Sequence, residues 1–253
     1  MKHMVIPDTQ VKPNVPLEHM AWAGRYAAEK HPDVIIHIGD FADMESLSSY
    51  DDGKKSYEGR TYKADCESAH EAQELFFAPI REEIRRTRGH KNPWRPRFVL
   101  TLGNHEDRID RAIESDRKLE GTIGIKDLKF EKFGWEVIPH KQPISINGIM
   151  YCHYFTTGVM GRPVTSARAL STKKHQSCTM GHSPRTEIDM SQIKADGTPI
   201  IGLFAGAYFL HDEKYLGPQD NPVHRQLWMK HEVNEGFYYP MPVSIEYLRK
   251  KYV

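Results

Sequence analysis

The first hundred residues alternate between apolar runs that predict strands and apolar spacings that predict helices. The order is strand, helix, strand, helix, strand, over residues 3–6, 16–31, 34–38, 63–88 and 97–102. Asp8, Asp40 and Asn104 follow the three predicted strands within two residues. Such an alternation is typical of a largely parallel α/β sheet, in which functional groups gather where the strands end. The pattern therefore favours this architecture for the first half of the chain.

The second half of the chain has a different pattern. Short predicted strands separated by turns lie at residues 135–138, 144–146, 148–153, 177–180 and 199–204. Only residues 162–174 have helical spacing in this half, whereas residues 44–60 of the first half predict a loop. There is no internal repeat, low-complexity tract or linker composition. We therefore expect a single domain over residues 1–253 with two sheets.

The composition excludes several classes of protein. Of the 253 residues, 39% are hydrophobic and 27% are charged, which excludes a disordered chain, a collagen-like repeat and a coiled coil. The formal net charge is +1, so charge alone gives no argument for nucleic acid. The longest nearly apolar stretch, residues 200–210, is too short to cross a bilayer, and residues 1–5 lack a signal-peptide pattern. We therefore expect a cytoplasmic protein without a membrane partner.

Five short segments carry side chains that bind metal ions, and each follows a predicted strand. They are Asp8-Thr9-Gln10, Gly39-Asp40-Phe41-Ala42-Asp43, Gly103-Asn104-His105-Glu106, Cys152-His153 and Gly181-His182-Ser183-Pro184. Carboxylates, amide oxygens and imidazoles form the ligand set suited to Mn, Fe or Zn. Each segment alone is more typical of a turn, a helix cap or a buried polar side chain. Together they predict a metal site, in which Asp40 would bridge two ions about 3.5–4 Å apart.

The chain resembles the calcineurin-like metallophosphoesterases in the order of its motifs, which is D-x-H/Q, GDxxD, GNHE, H and GH-x-H. This family includes compact phage and bacterial members. The matching segments extend over residues 8–184, about seven-tenths of the chain. The resemblance implies a four-layer α/β/β/α sandwich of two mixed sheets, with a dinuclear metal site at the strand ends. It also implies that the protein is a metal-dependent phosphoric ester hydrolase.

The resemblance further implies a role for each motif residue. The first metal would be bound by Asp8, Gln10 and Asp40, and the second by Asp40, Asn104, His153 and His182. His105 occupies the family's general-acid position, and Asp43 the position of the carboxylate that orients its imidazole. In this interpretation a metal-activated hydroxide attacks phosphorus, and the His105 imidazolium protonates the departing alkoxide.

Two departures from the family pattern concern the first metal. Gln10 replaces one usual histidine, and Pro184 replaces the second histidine of the closing motif. Glutamine can coordinate only through its neutral carbonyl oxygen, and proline has no ligand atom in its side chain. We therefore expect an unequal pair of sites, with the first one weaker. Mn²⁺ is the expected divalent ion, with Fe, Zn and Mg as alternatives.

These features lead to one favoured function and two alternatives. The favoured function is a phosphodiesterase acting on nucleic acid or nucleotides, because Met44 stands where the family's protein phosphatases place a phosphate-binding arginine. The first alternative is a phosphomonoesterase that acts on protein or small molecules. The second is a non-catalytic metal-binding or nucleic-acid-binding module with a decayed first site. Gln10 and Pro184 favour this module, whereas the presence of His105 and Asp43 argues against it. The sequence predicts no oligomeric state.

Two weaker signals leave alternatives open. Residues 81–97 contain seven Lys or Arg and two Glu, with Trp94 among them. This segment could bind a phosphate backbone and stack a base on the tryptophan, or it could be a solvated helix end. His211 follows an apolar run, and it could supply a missing ligand to the first metal or lie on the surface.

Overall fold

The structure is a computed structural model that describes residues 1–49, 53, 57–212 and 224–253. The α-helices are α1 (Glu18–Lys30), α2 (Tyr62–Thr87), α3 (Asp107–Ser115), α4 (Phe130–Phe133), α5 (Ala167–Lys174) and α6 (Ile245–Tyr252). The strands are β1 (His3–Ile6), β2 (Val34–His37), β3 (Arg97–Thr101), β4 (Glu136–Ile138), β5 (Ile144–Ile146), β6 (Ile149–Tyr151), β7 (Thr156–Thr157), β8 (Arg162–Pro163), β9 (Cys178–Met180), β10 (Thr186–Ile193), β11 (Pro199–Ala205), β12 (Gln226–Asn234) and β13 (Phe237–Ser244).

Two large sheets, both mixed, contain all but two of these strands. The first has the order β13-β12-β1-β2-β3-β4, in which β1 to β4 are parallel and β12 and β13 are antiparallel to their neighbours. The second has the order β10-β11-β9-β6-β5, with parallel pairs around β9 and antiparallel pairs at both ends. Strands β7 and β8 form a separate hairpin.

Alternating side chains of the strands divide the interior into layers. Ile35 of β2 is buried against the helical layer of α1 and α2, together with Phe76. Its neighbour Ile36 points the other way and is buried with Leu203 of the second sheet. On the far side of that sheet, Leu170 of α5 completes a third cluster. The layers are therefore helix, sheet, sheet and helix, which confirms the predicted four-layer α/β/β/α fold with two mixed sheets.

The parallel strands bring the predicted metal ligands to one edge. Because β1, β2 and β3 run in the same direction, Asp8, Asp40 and Asn104 follow their carboxyl ends at a common edge of the first sheet. In the second sheet β6 and β9 are parallel, and their carboxyl ends lead to His153 and His182. The two sheets pack face to face, so the five side chains lie between the same two edges.

The predicted helix at residues 162–174 was too long, and it is not the only helix of the second half. Residues Arg162–Pro163 form strand β8, and the helix starts at Ala167 because the hydroxyl of Ser166 accepts a hydrogen bond from the amide of Ala169. The sequence analysis missed α4 and α6, which are short, and helical spacing is hard to recognise over one or two turns.

The predicted loop at residues 44–60 is only partly described. It contains a short 3₁₀ helix at Glu45–Leu47, whereas residues 50–52 and 54–56 lie outside the described part of the chain. Among the described residues, no helix has both the length and the apolar character needed to span a membrane.

Candidate metal centre

Three of the predicted ligands lie in left-handed backbone within four residues of the end of a strand. The φ angle is 41° at Gln10, 48° at Asp40 and 64° at His182. Residues other than glycine seldom adopt this region, and such conformations are concentrated at functional sites. Here the left-handed residue turns the chain sharply as each strand ends, so that the backbone leaves the sheet directly beside the side chain.

Glycines allow the ligand loops to approach one another. A Cβ atom on Gly103 would lie 2.0 Å from Oδ1 of Asp40, and one on Gly181 would lie 2.2 Å from Oδ1 of Asp8. Both distances are far below van der Waals contact, and both clashes would be with a predicted metal ligand. The glycines of the GNHE and GH motifs are therefore required by the neighbouring carboxylates.

The second metal position has four ligand groups that converge on one point. Asp40, His153 and His182 offer ligand atoms that all lie within 4.8 Å of one another. Oδ1 of Asn104 lies 2.7 Å from Nδ1 of His182 and 3.0 Å from Nε2 of His153. Nε2 of His153 also lies 3.3 Å from Oδ2 of Asp40. Two oxygens and two ring nitrogens around one point fit a divalent transition-metal ion.

A backbone hydrogen bond fixes the orientation of His153, which is fully buried. Its Nδ1–H donates to the carbonyl of Ile38 at 3.0 Å, which directs Nε2 toward Asp40. Burial alone would lower the pKa of this imidazole, but the carboxylates of Asp40 and Asp8 raise the pKa to about 9. The same negative charges that favour a proton at Nε2 would favour a metal ion there.

His182 has the opposite electrostatic environment. Burial and the neighbouring charge of His153 lower its pKa to about 4. The ring is therefore neutral at physiological pH, and a neutral imidazole is the form that coordinates metal ions. Its Nδ1 faces Oδ1 of Asn104, so this nitrogen is the one available to the ion.

The residues predicted to bind the first metal are Asp8, Gln10 and Asp40. Oδ1 of Asp8 accepts a hydrogen bond of 3.2 Å from the amide of His182 and lies 4.0 Å from Nδ1 of His153. Burial raises the pKa of Asp8 to about 8, and the nearby charge of Asp40 acts in the same direction. A cation between these two carboxylates would remove their repulsion.

Both positions open into one cavity of about 240 Å³. Its lining residues are Asp8, Gln10, Asp40, Asn104, His105, His182, Pro184, Ala207 and Phe209. Pro184 thus lies at the cavity wall but adds no side-chain ligand. The ring of His211 stacks on Phe209 at 4.7 Å and is not part of the lining. The structure does not place His211 as a substitute ligand, and the residue is half-buried.

His105 and Asp43 form a pair at the wall of this cavity. Nδ1 of His105 lies 2.8 Å from Oδ1 of Asp43, so Nε2 is directed toward Asp40, 3.7 Å away. Burial alone would lower the pKa of His105, but the carboxylates of Asp40 and Asp43 raise the pKa above its ordinary value. Lys12 and Arg108 also contact the Asp43 carboxylate, at 2.9 Å and 3.0 Å. The sequence analysis identified neither of these two cations.

Glu106 connects two of the ligand loops, a role that the sequence analysis did not assign. Its buried carboxylate accepts hydrogen bonds from the backbone amides of Asp40 at 3.1 Å, Ala42 at 2.8 Å and Gly103 at 2.7 Å. The Glu of the GNHE motif was visible in the sequence, but nothing there indicated that it binds the loop of the GDxxD motif.

No family model matches this sequence, and no curated protein matches it. One solved chain aligns with 96% of this chain and 99% of its own length, at 14% identity and a TM-score of 0.37. A purple acid phosphatase from yellow lupin (Lupinus luteus) seeds aligns with 96% of this chain at 13% identity and a TM-score of 0.30. The alignment covers 53% of that phosphatase, so this chain spans about half its length.

The two metal positions are expected to differ in affinity. Titration of metal-stripped protein with Mn²⁺ should give one tight and one weak step, because the first position lacks an imidazole. Gln10→His should tighten the weak step and leave the tight one unchanged, while Gln10→Leu, the control, should weaken it further. Isothermal calorimetry would measure both steps. Two equally tight steps in the unaltered protein would contradict the assignment.

Proposed function

We propose that this protein is a metal-dependent phosphodiesterase acting on nucleic acid or nucleotides. The observation that carries the proposal is the arrangement around one cavity of two oxygens and two imidazole nitrogens, with His105 oriented by a carboxylate at the wall. Divalent ions bound there, Mn²⁺ or alternatively Fe, Zn or Mg, would supply an activated water and neutralise the charge of the phosphate.

The protein's own side chains would do the remaining work. Asp8, Gln10, Asp40, Asn104, His153 and His182 would hold the ions at the cavity. Asp43 accepts a hydrogen bond from Nδ1–H of His105, which fixes the imidazole with Nε2 at the cavity. From there Nε2–H would donate a proton to the departing alkoxide oxygen.

The described lining of the cavity leaves the charge of the phosphate to the bound ions. None of the described lining residues is lysine or arginine. A phosphomonoester carries close to two negative charges near neutral pH, since its second pKa is about 6. A diester carries one. With no lysine or arginine in the described lining, the bound ions alone would offset either charge, and the proposal of a diester rests on Met44, which stands where the family's protein phosphatases place a phosphate-binding arginine.

Two aryl substrates test this choice. With Mn²⁺ present, we expect the protein to hydrolyse a bis-aryl phosphate faster than the corresponding mono-aryl phosphate. Preferential hydrolysis of the monoester would support a phosphomonoesterase instead. Absence of hydrolysis with either substrate, in protein that binds the metal, would support a non-catalytic module.

His105→Asn is expected to lower kcat about 10²–10⁴-fold for a diester with a poor alkoxide leaving group. The loss should be much smaller for an aryl leaving group, which departs without full protonation. Metal content should not change, because Nδ1 of His105 is hydrogen-bonded to Asp43 and His105 is not among the predicted ligands of either metal. Kinetics with the two leaving groups and metal analysis would measure both effects.

The control is His90→Asn, which changes an exposed histidine far from the cavity and should leave all rates unchanged. If His105→Asn lowered kcat equally for both leaving groups, the imidazole would position the substrate without donating a proton.

A further inference from the structure

The basic segment of residues 81–97 lies at the opposite edge of the first sheet from the metal centre. Strand β3 starts at Arg97, whose amide donates to the carbonyl of Asp33 just before β2. The indole N–H of Trp94 donates to the carbonyl of Pro32 at 2.8 Å. The metal ligands follow the other ends of these strands, about 20 Å away at 3.3 Å per residue. Proximity in sequence to Asn104 therefore does not place this segment at the cavity.

This segment contains a second cavity, of about 450 Å³, which we call the arginine cavity. Its lining residues are Arg81, Ile84, Arg85, Arg88, Pro93, Trp94 and Arg95. Arg81, Arg85 and Arg88 recur on α2 at intervals of four and three, so they lie on one face of the helix. At 1.5 Å per residue they extend over about 10 Å of its axis. Arg95 lines the cavity from the segment before β3.

Three of the four arginines have no acidic partner among the described residues. Within the described part of the chain, Arg85, Arg88 and Arg95 form no ion pair, and all three are exposed. Two neighbouring arginines, in contrast, do form ion pairs: Arg86 binds Glu83 at 2.7 Å, and Arg97 binds Glu136 at 2.8 Å. Like charges held around one concave surface repel each other, and an anion between them would relieve that repulsion.

Trp94 does not provide a stacking surface for a base. It is 8% exposed, and the ring of His31 is stacked on it at a centroid distance of 4.9 Å and an angle of 10°. The predicted stacking role is therefore not available to this residue in the structure. The guanidinium groups remain accessible, and such groups bind phosphate oxygens well.

We propose that the arginine cavity binds the phosphate backbone of a single-stranded nucleic acid whose scissile bond lies at the metal centre. The inference rests on the proposed diesterase function. For a strand stacked as in a duplex, at about 3.4 Å per nucleotide, 10 Å of helix corresponds to about three phosphates. The 20 Å between the two sites corresponds to about six nucleotides. The arginine cavity would therefore contribute to binding at the metal centre only for substrates long enough to reach both the cavity and the metal centre.

The test is a triple variant, Arg85→Ala, Arg88→Ala and Arg95→Ala, compared by fluorescence anisotropy with the unaltered protein. The probe is a labelled 30-nucleotide single-stranded DNA, titrated at several salt concentrations in EDTA so that no hydrolysis occurs. Because the variant lacks three guanidinium groups that would each neutralise a phosphate, the slope of log K against log salt should become shallower by about 2. Affinity for the 30-mer should fall at least tenfold, and that for a four-nucleotide probe should fall as well, because its three phosphates fit the arginine cavity alone.

A matched control removes the same charge elsewhere, through Lys194→Ala, Arg249→Ala and Lys250→Ala at exposed positions outside the cavity. An unchanged salt slope in the arginine variant, or an equal change in the control, would overturn the inference. The inference would also be overturned if an acidic peptide with the same net charge as the DNA probe displaced the DNA from the cavity.

The same variants separate this inference from the proposed function. If the arginine cavity is the distant site, the triple variant should raise KM for the 30-mer and leave kcat and bis-aryl hydrolysis unchanged. If the triple variant loses DNA binding but the unaltered protein hydrolyses no diester, the proposed function would be wrong and the role of the arginine cavity would stand. If the unaltered protein hydrolyses a diester but the triple variant binds DNA as tightly as the unaltered protein, the function would stand and the role of the arginine cavity would be wrong.

Discussion

Asp40→Asn should reduce hydrolysis of a bis-aryl phosphate about 10³-fold and release most of the bound metal. Asp40 is the one predicted ligand shared by both positions, and its Oδ2 lies 3.3 Å from Nε2 of His153. Although burial opposes ionisation, the charges of His105 and His153 hold the pKa of this carboxyl well below its ordinary range. Losing a metal ion costs several kcal/mol of transition-state stabilisation, and each 1.36 kcal/mol corresponds to a factor of ten.

Steady-state kinetics with saturating Mn²⁺ and metal analysis of the same sample would measure this loss. The control is Asp196→Asn, which alters a fully exposed carboxylate in a turn and should change neither quantity. Full activity in Asp40→Asn, at unchanged metal content, would show that the ions are bound elsewhere.

Glu106→Ala should destabilise the metal-free protein by about 3–5 kcal/mol. The substitution leaves three buried amides, those of Asp40, Ala42 and Gly103, without an acceptor. Each buried donor without a partner costs about 1–3 kcal/mol. Urea denaturation of metal-stripped protein would measure the effect without the contribution of bound ions.

Glu106→Gln provides a graded comparison. Oε2 of Glu106 accepts from Asp40 and Gly103, and Oε1 accepts from Ala42. A glutamine can retain the first pair through its carbonyl oxygen, but its NH₂ group then faces the Ala42 amide. Its effect should lie between those of the alanine variant and the unaltered protein. Glu82→Ala, at an exposed position of α2, should have little effect. A similar change for Glu82→Ala and Glu106→Ala would contradict the role of Glu106.

The positions of the predicted metal ligands in the fold could be inferred from the sequence because they depend on local patterns. The apolar runs that form β1, β2 and β3 are short and bounded by turns, so each strand end was recognisable to within about two residues. Parallel pairing then follows from the helices between them, and it brings Asp8, Asp40 and Asn104 together without knowledge of any side-chain contact.

Contacts between distant segments could not be predicted in the same way. Lys12 and Arg108 both reach Asp43, and Glu106 reaches the backbone of Asp40, through distances set by the packing of loops. A single sequence contains no periodicity that reports such contacts. The basic segment shows the same limit, because its position at the amino end of β3 depends on strand direction and not on its nearness to Asn104 in sequence.

The central claim is that metal ions held at Asp40, Asn104, His153 and His182 are required for phosphodiester hydrolysis. The most direct measurement is hydrolysis of a bis-aryl phosphate by metal-stripped protein, before and after Mn²⁺ is restored, in the unaltered chain and in Asp40→Asn. We predict no hydrolysis without metal, full recovery with Mn²⁺ in the unaltered chain, and little recovery in the variant. Hydrolysis that persists after complete removal of metal, or recovers equally in both proteins, would contradict this claim.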